Sequence, residues 1–227
     1  MTTLVASAQT KAPSPFKAEA PVMPSSLSFR TGDSFERAFA RYLISCALGP
    51  DTRVVVPPSR PGEATDVFPG EMGLANEWAH QALQPEAQRL VSACLLARTN
   101  HFGVPVLLSL RQPQAAPGTS LHADERERAS FSRLEGKFFG NLFTTPPRAY
   151  YCRGDDRPDR WVWLTGLKRV CTPALLPGES SLCGLQDVGL CSGASLVQEG
   201  IDYGPSAIDV YLPDRPSDSP QEIRPSS

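Results

Sequence analysis

The chain has 227 residues, 41% of them hydrophobic, with 22 Lys and Arg against 24 Asp and Glu, a net charge of −2 and 23 prolines. Without a basic stripe to neutralise phosphates, nucleic acid is not expected as a partner, and without an apolar run of about 18 residues no transmembrane segment is expected. The composition is that of a globular chain.

Residues 1–32 are rich in Pro, Ala, Ser and Thr and lack hydrophobic periodicity. They cannot bury enough apolar surface to offset their ordering entropy, so a disordered N-terminal segment is expected. Leu4-Val5-Ala6-Ser7-Ala8-Gln9 reads as the end of a signal peptide with an Ala-x-Ala cleavage site, although the basic and apolar stretches that precede such a site are missing. Ala/Ser-rich termini with no targeting role are the competing reading. A single α+β domain is expected over 33–211, followed by a disordered Pro- and Ser-rich tail over 212–227.

Within the domain, Asp33 and Glu36 have capping-box spacing. Phe35, Phe39, Leu43 and Cys46 recur every three or four residues, which predicts an amphipathic helix ended by Gly49-Pro50. The β-branched run from Thr52 to Val56 predicts a strand ended by Pro57-Pro58. Phe68 to Gly73 reads as a turn-rich link, and Leu74 to Ala79 as one helical turn that docks Trp78. A second helix is predicted over 85–100, with Pro85 at its first position. Its buried stripe is Ala87, Leu90, Val91, Cys94 and Leu95, with Arg98 near its C-terminus and Asn100 as its C-cap.

Val104 to Leu110 reads as a core strand, Gln112 to Ser120 as a loop, and Asp124 to Leu134 as helical at first. Ala149 to Cys152 and Trp161 to Cys171 read as strands, and Ala207 to Leu212 as a last, edge strand. Helices first and strands later, without a βαβ rhythm, predict two packed amphipathic helices against a small, mainly antiparallel sheet, with an irregular, disulfide-stapled C-terminal third.

The six cysteines are Cys46, Cys94, Cys152, Cys171, Cys183 and Cys191. Six cysteines permit 15 pairings. Cys46 and Cys94 lie on the buried faces of the two helices, so a bridge between them is expected. Cys152–Cys171 and Cys183–Cys191 are the first choice for the rest. Reduced, buried thiols and a zinc site are the competing readings, but zinc favours closer Cys pairs than these.

No linear motif for hydrolysis, phosphate or dinucleotide binding occurs, and no cofactor or metal is expected. The three histidines, His80, His101 and His122, have no metal-ligand spacing. Glu135-Gly136-Lys137-Phe138-Phe139-Gly140-Asn141-Leu142-Phe143 reads as a glycine-framed turn whose aromatics are buried. Glu135 and Asn141 therefore stand near a core and need partners. They either contact a ligand or serve structure, bonding loop backbone or pairing with Arg98, and the structural role is the stronger reading.

Glu71-Met72-Gly73-Leu74-Ala75 with Trp78, Val91 to Asn100, Glu135 to Phe143, and Tyr151-Cys152-Arg153-Gly154 together resemble a group of uncharacterised exported bacterial proteins, often lipoprotein-like. The resemblance covers roughly 35–195. It implies export and disulfides and no activity. The sequence departs from the group in lacking an intact signal peptide and a lipobox cysteine near its start.

Two functions are therefore weighed. The first is a non-enzymatic exported or envelope-associated domain that binds a protein or glycan. The second is an exported hydrolase whose carboxylates, with Glu135 a candidate among them, line a cleft formed by the 57–73 and 112–123 loops. A cytosolic protein with free thiols is a third reading.

Overall fold

The computed structural model describes residues 34–56, 65–100, 103, 106–154, 169–170 and 184–214. The fold is α+β. Three layers stack on one another: helix α1 (Ser34–Ala47), helix α2 (Pro85–Ala97), and a five-stranded sheet in the order β3-β9-β4-β5-β6. The strands are β3 (Ser109–Arg111), β4 (Arg133–Asn141), β5 (Arg148–Arg153), β6 (Gln186–Leu190) and β9 (Ile208–Leu212). All neighbours are antiparallel except β5 and β6, which run parallel.

Layering explains the burial of α2. Gln88 and every residue from Val91 to Ala97 are buried, because α1 covers one side and β4 and β9 the other. A helix enclosed all round cannot be strictly amphipathic, and small residues such as Ser92, Ala93 and Ala97 let both neighbours approach. Its two buried polar side chains face the β4–β5 turn. Ser92 Oγ accepts from the Leu142 amide at 2.9 Å, and Gln88 Oε1 accepts from Asn141 Nδ2 at 3.2 Å.

The C-terminus of α1 leaves carbonyls that the helix itself cannot satisfy. The segment Glu71–Ala75 runs past it and donates to Ser45, Leu48, Cys46 and Ala47 in turn, with Met72 N to Ser45 O at 2.9 Å and Ala75 N to Ala47 O at 2.8 Å. Gly49 N donates to Asn76 Oδ1 at 2.8 Å. This pairing anchors the 3-10 turn Asn76–Ala79, which buries Trp78 as expected.

A two-stranded ribbon, β1 (Arg53–Val56) with β2 (Asp66–Pro69), lies beside α1. Val54 and Phe68 face inward opposite each other, and Val55 and Val67 face solvent, each about half exposed. Helix α3 (Glu125–Ser130) starts at Asp124, whose carboxylate accepts from Glu127 N. A small hairpin, β7 (Val197–Gln198) and β8 (Ile201–Asp202), and a 3-10 turn, Gly204–Ser206, lead into β9.

Several expectations are corrected. Phe68 to Gly73 is not only a link, because Asp66–Pro69 pairs with β1. Of the described residues in the strand expected over Val104 to Leu110, only Ser109 and Leu110 are extended, in Ser109–Arg111, and Leu107 is 73% exposed. Glu135 to Asn141 is not a turn but part of the central strand β4. Strand β9 is not at an edge, since it pairs with β3 on one side and β4 on the other. Leu212, where the expected last strand and the expected tail overlap, is buried in β9, and beyond it Asp214 N still donates to Ser130 O.

Asp33, the 57–64 loop, His101, Cys171, Cys183 and most of Trp161 to Cys171 lie outside the described residues. The two described residues of that last segment, Arg169 and Val170, are helical rather than extended.

Cys46 and Cys94 are bridged, joining α1 to α2. Cys152 is bridged to Cys191, not to Cys171, so the expected pairings Cys152–Cys171 and Cys183–Cys191 are both overturned. The reason is the parallel pairing of β6 with β5. Arg153 lies opposite Leu190, and Cys191 N donates to Arg153 O at 2.8 Å, which sets the two cysteines side by side.

Candidate functional site

Among the described residues, four gatherings of polar side chains bear on function, and the fold consumes three of them. The first surrounds Glu135. A β-bulge between Leu134 and Gly136 turns Glu135 off the strand's alternation and toward the helices. Its carboxylate meets Arg169, with Nε at 3.1 Å from Oε1 and Nη2 on Oε2. Arg169 Nη1 donates to the carbonyls of Ala97 and Thr99 at 2.9 and 2.6 Å, capping α2. Both partners are enclosed, and the guanidinium stands 5.7 Å from the centre of the Phe138 ring. Both Glu135 carboxylate oxygens have a partner and both side chains are enclosed, so the pair serves structure.

The expected partner of Glu135 was Arg98, and that expectation is corrected. Arg98 lies at the surface end of α2, where Nη2 pairs with Glu71 Oε2 at 3.0 Å and Nη1 donates to Ser45 Oγ. The Ser45 hydroxyl in turn donates to Glu71. That bond, chiefly, and the Arg98 charge hold the Glu71 carboxyl below the usual glutamate range against a smaller opposing effect of burial. A serine beside a carboxylate invites comparison with an activated nucleophile. Here Ser45 is buried, with its hydroxyl proton on Glu71 and its oxygen accepting from Arg98, so a substrate has little access to it.

Asn141 ties two elements together, donating to Gln88 and accepting from Phe143 N at 2.9 Å. Asn100 is not the C-cap of α2; Arg98 is, and the Asn100 carbonyl accepts from Gly103 N.

The third cluster lies on the opposite face of the sheet. Phe139, Tyr150 and Tyr203 pack together with ring centroids 5.4 to 5.8 Å apart. Glu199, at φ 50 in the β7–β8 turn, accepts from Tyr150 Oη at 3.1 Å and pairs with Arg148. Burial raises the Tyr150 and Tyr203 hydroxyls above the ordinary phenol range. The hairpin is thereby latched over the aromatics.

The fourth place is a cleft of about 450 Å³ between the first half of α2, the 3-10 turn Asn76–Ala79 and the 202–206 turn. Leu74, Ala87 and Leu90 supply apolar wall, and Arg89, Glu77, Glu86 and Asp202 supply charge. Gln112 Nε2 donates to Pro205 O across one end. Of the cleft expected between the 57–73 and 112–123 loops, Gln112 alone among the described residues lines this one. Those loops instead touch where Ser120 Oγ donates to Met72 O at 2.6 Å.

Neither Glu135 nor Asn141 reaches the cleft, and its charged residues were not singled out from sequence. The available signal was slight. Glu86 and Arg89 have the three-residue spacing of a helical ion pair, yet no ion pair forms between them, and a cation in the first half of a helix opposes the macrodipole. Among the described residues no group of three His, Cys, Asp or Glu side chains could hold a metal, and no helix is long and apolar enough to cross a membrane. In comparison with known proteins, no family model, curated protein or solved structure matches this chain.

Proposed function

We propose that this is an exported, non-catalytic binding domain of the bacterial envelope or its surroundings, of the kind its sequence resembles. The observation that carries the reading is the pair of bridges, Cys46–Cys94 within the core and Cys152–Cys191 across the sheet. Cys46, Cys94 and Cys152 are fully buried. Structural bridges of this sort form and persist in oxidising compartments and are rare where glutathione and thioredoxin keep thiols reduced.

The binding role is supported by how the polar clusters are used. Glu135, Ser45, Glu71 and Asn141 spend their hydrogen bonds on other elements of the fold. The cleft beside the first half of α2 carries mixed charge and apolar wall, the make-up of a recognition site. The hydrolase reading draws on the same cleft through Glu77, Glu86 and Asp202. Asp202 is exposed and already accepts from Gly204 N at 2.8 Å, which suits holding a turn better than moving a proton.

The test is thiol trapping in cells that express the full chain, with fractionation of cytoplasm from exported material. The expected result is exported protein in which Cys46 and Cys94 resist alkylation until reduced. Protein retained in the cytoplasm with both thiols alkylated would overturn the reading.

A further inference from the structure

We propose that the cleft between α2 and the 202–206 turn binds a small dipolar ligand of the amino-acid or short-peptide class, its carboxylate on Arg89 and its amine among Glu77, Glu86 and Asp202. This concerns what the cleft holds and stands whether or not the chain is exported.

Arg89 carries the argument. Its side chain lines the cleft, its Nε is buried, and among the described residues it has no hydrogen bond or ion pair. A buried N–H without an acceptor is costly, and nothing in the packing calls for a guanidinium there. Three carboxylates line the same cleft, and none comes within ion-pair distance of Arg89. Opposite charges are therefore held apart across the opening rather than neutralised. The next residue after cleft-lining Asp202, Tyr203, packs its ring in the aromatic cluster, and its enclosed Oη has no hydrogen-bond partner. The charge of Arg89 reaches that hydroxyl.

Ligand chemistry follows from this separation. A simple anion would satisfy Arg89 but face three carboxylates. A simple cation would be drawn to the carboxylates but repelled by Arg89. A ligand with both charges satisfies both poles, and a carboxylate can take two parallel bonds from a guanidinium. Leu74, Ala87 and Leu90 then offer an apolar wall to a side chain, and a volume of about 450 Å³ holds one or two residues.

The experiment titrates the full chain with L-leucyl-L-leucine, N-acetyl-L-leucine and L-leucinamide, read by amide NMR shifts and calorimetry. The dipeptide should saturably shift amides in 86–90 and 202–206. The acetylated and amidated compounds should each bind about tenfold more weakly, having lost one charged contact. Arg89→Gln should weaken the dipeptide by about tenfold while leaving the melting temperature in place, since it breaks no bond of the fold. No saturable shift at these amides, or equal binding of either singly charged compound, would overturn the proposal. So would an Arg89→Gln protein that melts far below the parent, because Arg89 would then serve packing. Thiol trapping reads different atoms, so failure of the export reading leaves this titration unaffected.

Discussion

Arg169 and Glu135, 34 residues apart in sequence, meet as an enclosed ion pair whose cation also caps α2 through the carbonyls of Ala97 and Thr99. A pair of this kind gains little over a well-packed apolar substitute, but removing one partner strands the other charge. Glu135→Gln is therefore expected to cost about 3–5 kcal/mol of folding stability. Urea unfolding measures this. An unchanged midpoint would remove Glu135 from the structural role and reopen a functional one.

How much of this was legible in sequence depends on the range of the contacts involved. The two helices, Pro85 at the start of α2, the Trp78 turn and the Cys46–Cys94 bridge follow from local periodicity, and all four are present. Contacts set by sheet order were not legible. Ile208, Val210 and Leu212 alternate with Asp209 and Tyr211 as an edge strand would, yet β9 is enclosed by β3 and β4. Cys152 finds Cys191 only because β6 returns parallel to β5, a pairing no spacing rule encodes. The Glu135 partner was misassigned because a bulge, invisible in the sequence, re-aims its carboxylate. The cleft was missed because its charges come from α2 and from a turn more than a hundred residues later.

The bridges should dominate the stability. Cys46–Cys94 spans 48 residues and Cys152–Cys191 spans 39. The chain-entropy account gives roughly 4 kcal/mol for each loop of this size. Cys46→Ala/Cys94→Ala is expected to lose about that much, and Cys152→Ala/Cys191→Ala a similar amount. Non-reducing peptide mapping should recover both cross-linked peptides. A Cys152–Cys171 peptide in protein purified without reductant would contradict the register of β6 on β5.

Acid should weaken the α1–α2 surface cluster. The Glu71 carboxyl is held below its ordinary range chiefly by the Ser45 hydroxyl, with Arg98 adding to it. A group whose folded pKa is depressed contributes fully above its unfolded value and loses that contribution as pH falls through the lowered one. The stability gap between the parent and Glu71→Gln should therefore be present at neutral pH and shrink in strong acid. It should also be small and fall with added salt, because Glu71 is 53% exposed. Thermal melts across the acid range at two salt concentrations measure both trends. A gap that grows on acidification would reverse the assignment.

Gly140 offers a test of the sheet itself. It lies in β4 opposite Ala149 at φ +146, and a Cβ there would stand 2.2 Å from the Arg148 carbonyl oxygen, which belongs to rigid strand backbone. Gly140→Ala must therefore move β5 away or distort β4, and both share the aromatic contacts of Phe138, Phe139, Tyr150 and Tyr151. The expected cost is about 3 kcal/mol, combining backbone strain with the clash. Gly118 provides the control, since it also has positive φ, at +83, but a Cβ there meets nothing within 4 Å. Gly118→Ala should cost only about 1–2 kcal/mol, the penalty for the left-handed conformation alone. Equal losses for the two variants in urea unfolding would mean that the close approach of β4 to the Arg148 carbonyl is wrong.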